Sequence, residues 1–463
     1  MPYKPLLIPT PWAILLCKFK GDNSTPPHPR KFYEDLFTSV GVGTQGMVDF
    51  FRDMSHGRLD LSGSQIFPPE GWGDGWLTLL HSKEEYDKIV TVRQLYDVTR
   101  KGVEPPDPNY VFRTWAEEAA TLYHPDVPRV DLTKFSGVVA VANVGSVGLV
   151  GWIGDMRAIC DEFSVKPSLL GQEMGHGYGL YHSRLHDSEV DYQDPYDIMS
   201  TRGAYMARHP AYDSIGWPLI RDYGKSIGPG LNAANMVSRG WLDYSRVKKI
   251  TYGAAETVDL RPLHRLDLPG SLAISVDKYF IEFRMNEGWD AAFPTPVVLI
   301  HFFEENHSYL MEPILTKKGD KFEIKEGEHT AFYYHLKIEL LDIDVGKRSA
   351  RISIDYSPLS IPPEIRYKWP WEYISPAIPS THLGPGEDIV IVYEKMIRTP
   401  QWSLRPILKA LADISSSERF DNEDIRRRAL ETIIKIADEE LRLDTQTGVA
   451  PPRDLGGQSQ QST

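Results

Sequence analysis

Residues 172–182 read QEMGHGYGLYH, and this stretch decides the fold that the sequence predicts. On an α-helix, positions four apart lie one above the other, so Gln172 and His176 can point at one atom. Glu173 is rotated from Gln172 by about 100°, which places it beside their shared face. That position suits a general base, which contacts a water on the metal without binding the metal itself. The spacing therefore predicts two metal ligands and a base on one helix.

A third candidate ligand, His182, requires the helix to end before it. On a continuous helix it would lie roughly 600° beyond His176 and point away from the site. Gly179 predicts the end, because glycine favours the left-handed position that follows a helix. By chance, the spacing E-x-x-H-x-x-G-x-x-H occurs in roughly one chain per thousand of this length. The alternative is a core helix with incidental histidines, whose polar groups would need other buried partners.

This stretch resembles the signature HExxHxxGxxH of the metzincin metalloproteases, with glutamine at its first position. A second stretch, DPYDIMS at residues 194–200, resembles the Met-turn of that clan and places its methionine at Met199. The likeness is to the gametolysin-like and immune inhibitor A-like families. It extends over residues 10–355 through two less specific stretches, FFRDMSHGRLDLSGS (50–64) and GPGLNAANMVSRGWLD (228–243).

The resemblance implies three zinc ligands, which are Gln172, His176 and His182. It also implies that Glu173 is the general base. Gametolysin-like enzymes include members with QExxH, so glutamine alone does not indicate an inactive protein. A glutamine oxygen binds a cation without deprotonation, but it is a harder donor than imidazole, which leaves the identity of the metal less certain. One coordination position stays open for water, and His186 is the spare candidate ligand if Gln172 stays unbound.

We therefore expect a zinc-dependent metalloendopeptidase, a hydrolase that cleaves protein or peptide substrates through a metal-activated water with Glu173 as general base. The alternative function, from a different class, is a catalytically inactive binding protein on a metzincin scaffold, acting through a β-sandwich and a C-terminal helix. Glu173 separates the two hypotheses, because beside an empty site this residue has no structural need to be a carboxylate.

Two polar features flank the Met-turn. Tyrosine two places after the methionine, an oxyanion helper in some metzincins, is absent, because that position is Thr201. Tyr205 is the candidate to replace it. Dense carboxylates between the motif and the Met-turn could hold a structural Ca²⁺, and a solvated acidic loop is the alternative. These carboxylates belong to Asp187, Glu189, Asp191, Asp194 and Asp197.

The predicted fold class is α+β. A metzincin-like catalytic domain, with a twisted mixed sheet and an active-site helix, is followed by an antiparallel β-sandwich module and a C-terminal helical segment. Alternating strands such as YFIEFRM (279–285) and PVVLIHFF (296–303) indicate the sandwich. The predicted boundaries are 1–256 for the catalytic domain, 257–356 for the sandwich, 357–400 for a proline-rich connector, 401–445 for the helical segment and 446–463 for a disordered tail.

Local patterns in the first domain predict individual elements. Buried strands are expected at 12–19 and 137–142. The stretch GMVDFFRDMSHGRLDLSGS (46–64) predicts a helix that ends near Ser55, a turn at Gly57 and a strand. Residues 135–154 carry no charge, but their glycines and β-branched residues favour a buried strand and a loop over a membrane span.

Composition limits the partners and the compartment. The 463-residue chain has a formal net charge of −13, which argues against nucleic acid as a partner. Cys17 and Cys160, the two cysteines, could form one disulfide but neither a disulfide framework nor a cysteine metal site. The N-terminal stretch is not a convincing secretory signal, because prolines interrupt its apolar run. Localisation stays open, although the resembled families are mostly secreted, and we recognise no cysteine-switch propeptide.

Overall fold

A computed structural model of the chain describes residues 7–25, 27–122, 129–145, 147–210, 227–326 and 334–358. The predicted proline-rich connector, helical segment and disordered tail therefore lie outside the described residues, except for positions 357 and 358.

The described residues form six α-helices and eighteen strands. The helices are α1 (Arg30–Phe37), α2 (Met47–Met54), α3 (Lys83–Thr99), α4 (Pro108–Thr121), α5 (Pro167–Gly177) and α6 (Ala233–Ser238). The strands are β1 (Ile8–Pro9), β2 (Trp12–Lys18), β3 (Leu59–Asp60), β4 (Gln65–Phe67), β5 (Leu77–Thr78), β6 (Gly137–Ala142), β7 (Val150–Trp152), β8 (Arg157–Cys160), β9 (Arg184–Leu185), β10 (Val247–Ile250), β11 (Ala255–Leu260), β12 (Ala273–Val276), β13 (Tyr279–Arg284), β14 (Val297–Glu304), β15 (His307–Leu310), β16 (Lys321–Glu326), β17 (Tyr334–Asp344) and β18 (Ser349–Pro358).

A mixed sheet organises the part of the chain that carries the motif. Its order is β4–β2–β6–β8–β7, and β5 also pairs with β2. The pairs are parallel except for β7 and β8, which are antiparallel. The strands β2 and β6 are apolar and almost entirely buried, as is typical of parallel strands covered on both faces. The predicted strands at 12–19 and 137–142 are thereby confirmed.

The two faces of this sheet contact different helices. Ile14 and Leu16 of β2 belong to a core that includes residues of α1, α2 and α5, whereas Leu15 packs in a core with α4. This division follows from the alternation of side chains along a strand. Cys17 lies in the α4 core and Cys160 in the α5 core, and both are free thiols. The disulfide that the cysteine count allowed is therefore not formed.

The predicted helix, turn and strand over 46–64 are confirmed. Helix α2 ends at Met54, Gly57 has a φ of 77°, and β3 follows. The α2 side chains Phe50 and Phe51 are buried in the core shared with α5. Helix α2 therefore supports the motif helix from one side.

Two further sheets share a single core. One has the order β10–β12–β13–β14–β15–β9. The other has the order β11–β18–β17–β16, and its pairs β11–β18 and β17–β18 are antiparallel. Ile281 and Ile300 from the first sheet pack in one cluster with Ile338 and Ile352 from the second. The strands predicted within 257–356 are present as β13, β14, β17 and β18. The short strand β9, from the segment after the motif, pairs in parallel with β15.

The described part of the chain is thus a mixture of α and β structure with several sheets and few helices, consistent with the α+β class. Residues 135–154 contain β6 and β7, as the sequence predicts, and no helix in the described ranges has the length and apolar character needed to cross a membrane.

A buried charged network connects the sheet of β13 and β14 to the segment before the Met-turn. The guanidinium of Arg284, fully buried, donates to Asp290 Oδ2 at 2.6 Å and to Glu282 Oε1 at 3.1 Å. His301 Nδ1 lies 3.9 Å from the same Glu282 oxygen, and His301 Nε2 lies 3.0 Å from Asp194 Oδ2. Charges without access to water require such partners, so this network fixes residue 194 relative to the sheet.

Candidate metal centre

Helix α5 carries the motif and ends where the sequence predicts. It begins at Pro167, whose fixed φ and missing N–H suit the first turn of a helix. It ends at Gly177, and Gly179 follows with a φ of 85°, in the left-handed region. The Gly179 N–H donates to the carbonyl oxygen of His176 at 2.8 Å, which closes the turn. The chain therefore leaves the helix before it reaches His182.

Met199 lies directly against this helix. A Cβ atom on Gly175 would be 3.0 Å from Met199 Sδ, so the glycine lets the methionine pack closely on the helix. Asp197 Oδ1 accepts hydrogen bonds from Met199 N at 2.7 Å and from Ser183 Oγ at 3.0 Å. Because Ser183 follows His182, one carboxylate holds both the methionine turn and the segment of the third candidate ligand.

The two histidines of the motif face each other through their Nε2 atoms, which are 3.1 Å apart. His176 Nδ1 lies 2.8 Å from the carbonyl oxygen of Leu180, and His182 Nδ1 lies 3.0 Å from Asp191 Oδ2. Both partners of the Nδ1 atoms are acceptors, which assigns a proton to each Nδ1. In this tautomer each Nε2 directs a lone pair at the other ring. Two lone pairs at this distance repel each other unless a cation lies between them.

The distance between the two Nε2 atoms suits a zinc ion. Burial lowers the pKa of His176 to about 4, so a proton is held poorly at neutral pH. Two nitrogens on one tetrahedral zinc are about 3.3 Å apart, because each Zn–N bond is about 2.0–2.1 Å. The observed 3.1 Å between the Nε2 atoms is close to that separation. Both Nδ1 atoms also have the oxygen partners that usually orient histidine ligands. His176 and His182 are therefore suited to hold zinc.

Glu173 is buried beside the pair and is held by two donors. Its Oε2 accepts from Gly151 N at 2.6 Å, and its Oε1 accepts from Gln172 Nε2 at 3.0 Å. Burial raises the pKa of Glu173 to about 7, although both hydrogen bonds oppose the rise. A carboxylate with a pKa near neutrality is able both to take and to return a proton. The position and the protonation equilibrium of Glu173 both suit a general base.

Gly151 brings the edge of the mixed sheet to this carboxylate. It is the central residue of β7, the last strand in the sheet order. A Cβ atom on Gly151 would be 2.1 Å from the backbone oxygen of Glu173. No side chain fits there, so glycine allows β7 to pack against α5.

Gln172 is buried next to the site, but its amide is held by other protein groups. Its Oε1 accepts from Thr201 N at 3.0 Å and from Thr201 Oγ1 at 2.8 Å. Its Nε2 donates to Glu173. The two Thr201 donors occupy both lone pairs of the amide oxygen. If Gln172 is the third ligand of a cation, its oxygen must exchange at least one of these hydrogen bonds for the metal.

The other sequence candidates lie away from the histidine pair. His186 Nδ1 is 2.9 Å from Asp187 Oδ2, and the His186 ring contacts Phe302. Tyr205 packs in an aromatic cluster with Tyr196 and Phe293. The structure thus brings His176, His182 and Glu173 together with Gln172 and Thr201, but not with His186 or Tyr205.

The five carboxylates between the motif and the Met-turn have different partners. Asp191 pairs with His182 and Arg184. Asp187 and Glu189 are exposed, whereas Asp194 and Asp197 are fully buried. The alternative of a solvated acidic loop is therefore wrong for the last two. Within the described ranges, no three carboxylate, thiol or imidazole groups are grouped to hold an ion. Amide ligands such as Gln172 are not among these three kinds of group. A structural calcium site stays a prediction.

Sequence reasoning missed three contributors to the site. Gly151 contacts the motif helix from another part of the chain, and no local pattern marks that contact. The Met-turn resemblance drew attention to position 201, but the hydrogen bonds of Thr201 to Gln172 were not predicted. Tyr192 stacks on His182 with ring centroids 4.0 Å apart. The aromatic character of Tyr192 was visible in the sequence, but its position against the ligand was not.

The comparisons with known proteins give no family for this chain. No protein-family model matches it, and no characterised protein matches its sequence.

Proposed function

We propose that the chain is a zinc-dependent endopeptidase of the metzincin type. The observation that carries the proposal is the Nε2-to-Nε2 approach of His176 and His182 at 3.1 Å, with both Nδ1 atoms facing acceptors. The buried glutamate beside the pair adds support. A buried carboxyl group whose pKa is raised by its surroundings, as that of Glu173 is, is typical of a functional site.

The residues of the chain have separate roles in the proposed hydrolysis. His176 and His182 would hold the zinc, with Gln172 as the predicted third ligand. When bound, zinc supplies Lewis acidity, which lowers the pKa of water towards neutrality. Glu173 accepts a proton from the attacking water and returns it to the leaving amine. Gly151 N–H and the Gln172 amide hold the Glu173 carboxylate in place throughout.

The edge strand β7 supports an extended peptide as substrate. It ends the order of the mixed sheet within the described residues, so its outer edge has no neighbouring strand there, although the N–H of Gly151 is bonded to Glu173. A peptide that adds to such an edge gains backbone hydrogen bonds whatever its sequence. Because Gly151 of β7 contacts Glu173, a peptide on this edge would lie close to the base.

One contact favours the second candidate function, a non-catalytic binding protein on the same scaffold. Thr201 holds the oxygen of Gln172, and this hydrogen bonding would be stable in a protein that never binds metal. The buried charge of Glu173 argues for the enzyme, because an inactive protein would be more stable with an apolar residue in this position.

The deciding experiment combines metal content with cleavage. We would purify the full chain, load it with zinc, measure bound zinc by mass spectrometry and follow the hydrolysis of dye-labelled casein. The matched variants are Glu173→Ala and Glu189→Ala, because Glu189 is an exposed glutamate of the neighbouring loop.

We expect one equivalent of zinc in all three proteins, with chelator-sensitive cleavage lost only in Glu173→Ala. Equal cleavage by wild type and Glu173→Ala would exclude the mechanism. A wild-type protein that binds no zinc and cleaves nothing would favour the binding protein.

A further inference from the structure

Tyr192 has an unusual backbone conformation for an aromatic residue. Its φ is 68°, in the left-handed region that side chains with a Cβ atom disfavour. Neighbouring contacts hold it there: Tyr192 N donates to the carbonyl oxygen of Ser183 at 3.1 Å, and an antiparallel bridge joins Arg184 to Asp191. Such conformations persist where the surrounding structure imposes them, and they cluster at functional sites.

This conformation places the phenol ring on a candidate metal ligand. The ring centroids of Tyr192 and His182 are 4.0 Å apart, with a tilt of 39° between the planes. The preceding residue, Asp191, bonds the Nδ1 edge of the same imidazole. Two consecutive residues therefore contact His182, one at its edge and one at its face.

The Tyr192 hydroxyl is available as a donor. It has no hydrogen-bond partner among the residues that the structure describes, and the side chain is only partly exposed. A phenol is protonated at neutral pH, so the hydroxyl carries a proton that it can donate.

Other hydroxyl-bearing side chains near the site have different partners. Thr201 Oγ1 donates to Gln172. Tyr205 lies in the aromatic cluster with Phe293, and the Tyr181 ring contacts His307. Among the described residues around the histidine pair, Tyr192 therefore combines an available hydroxyl with contact to a candidate ligand.

We propose that Tyr192 is a catalytic residue that donates a hydrogen bond to the oxyanion formed from the scissile carbonyl. This inference rests on the proposed endopeptidase function. As water adds, a carbon–oxygen bond forms, the carbonyl π electrons move to oxygen, and Glu173 takes the proton of the water. The electron pair on the oxyanion then re-forms the carbonyl, and the carbon–nitrogen bond breaks as that proton passes to the amine. Tyr192 keeps its own proton throughout and stabilises the charge on the former carbonyl oxygen.

The test uses Tyr192→Phe in the full, zinc-loaded chain, because phenylalanine keeps the ring on His182 and removes only the hydroxyl. The matched control is Tyr181→Phe, next to the same histidine. With the best-cleaved peptide from a mixed peptide library, we expect kcat to fall by about 10²-fold in Tyr192→Phe, as for the loss of one oxyanion donor. We expect KM, zinc affinity and thermal stability to stay at wild-type values, and the control to match wild type throughout.

A second measurement separates an oxyanion donor from a packing residue. A phosphinic peptide, whose tetrahedral phosphorus resembles the adduct, should bind Tyr192→Phe more weakly by the factor that kcat/KM loses. The carboxylate product peptide should bind equally to both proteins.

Wild-type kcat and wild-type inhibition in Tyr192→Phe would overturn the role of Tyr192 while leaving the proposed function intact. If wild type itself neither binds zinc nor cleaves peptides, the proposed function fails, and this inference fails with it.

Discussion

The carboxamide of Gln172 is joined to Thr201 by two hydrogen bonds, from Thr201 N at 3.0 Å and from Thr201 Oγ1 at 2.8 Å. Both reach the oxygen that would bind a cation. The backbone donor is fixed, but the hydroxyl donor can be removed. Competition between threonine and metal for one glutamine oxygen is therefore open to measurement.

The first prediction is that Thr201→Val tightens zinc binding. Valine keeps the shape of threonine without the hydroxyl, and the loss of one hydrogen bond of about 0.5–1.5 kcal/mol corresponds to a two- to tenfold lower Kd. Gln172→Ala should weaken zinc binding, and Gln172→His should strengthen it, because imidazole is the better zinc donor. Competition with a zinc chelator measures each Kd.

The double variant supplies the control for this prediction. If threonine acts through glutamine, Thr201→Val has no effect on zinc affinity in the Gln172→Ala background. The same gain in both backgrounds, or equal Kd values for wild type and Gln172→Ala, would remove Gln172 from the metal site.

The second prediction concerns Asp191, which accepts from His182 Nδ1 and from Arg184 Nε. Asp191→Asn should weaken zinc binding by about 10–100-fold, because the residue that orients a histidine ligand also strengthens it as a donor. Isothermal titration with zinc provides the measurement. Asp187→Asn, in an exposed residue of the same loop, should keep the wild-type Kd. If the two variants are indistinguishable, Asp191 does not orient the ligand.

The third prediction is that Gly151→Ala lowers stability and activity together. The new methyl group would meet the backbone oxygen of Glu173 at 2.1 Å, and backbone cannot move aside cheaply. Overpacking of this kind typically costs about 1–3 kcal/mol in the free energy of unfolding. Urea unfolding and casein hydrolysis provide the readouts.

Gly145→Ala is the matched control for the third prediction. Its methyl group would approach the ring of Phe163, a side chain that is 41% exposed and able to shift. A smaller loss of stability and full activity are expected. Equal losses of stability and activity in both variants would show that close packing of β7 against α5 is not what limits the residue at position 151.

The fourth prediction is a pH dependence of stability from His301. Burial lowers the pKa of His301, but the charges of Asp194 and Glu282 raise it above its ordinary value overall. The native state then holds the proton more tightly than the unfolded chain. This contribution to stability is complete below about pH 6.5, the unfolded value, and it is lost as the pH rises through the native pKa.

The variant His301→Gln should therefore be less stable than wild type by an amount that decreases as the pH rises above 6.5. The control is His56→Gln, because burial lowers the pKa of His56 to about 4. Its difference from wild type should stay constant above pH 6.5 and change only towards acid pH. Urea unfolding followed by tryptophan fluorescence from pH 6 to pH 9 measures both. A constant difference for His301→Gln would contradict the prediction.

The sequence predicted the parts of the site that depend on local geometry. The helix, the left-handed Gly179 after it and the convergence of His176 with His182 all lie within residues 167–182, where helix periodicity and the left-handed preference of glycine decide the backbone. The strands β2 and β6 were predicted for a similar reason, because a short continuous apolar run is typical of a buried strand.

Contacts between distant segments could not be predicted in this way. Thr201 and Gly151 contact the motif only after folding, and the carboxylate of Asp194 is buried because His301 arrives from β14. Nothing in the sequence marks Tyr192 as left-handed, since glycine or asparagine would be the expected residue at such a φ. The proposed oxyanion donor was missed for that reason.

The pairing of β9 with β15 has a consequence for how such a chain can evolve. Leu185 is in register with Leu310, His186 N donates to the carbonyl oxygen of Leu310, and His307 Nδ1 lies 2.8 Å from the carbonyl oxygen of His182. The backbone of a candidate ligand is thus braced by residues encoded more than a hundred codons downstream. We expect gene fusions and exchanges between these two regions to be poorly tolerated, so that the motif and its bracing strand are inherited together.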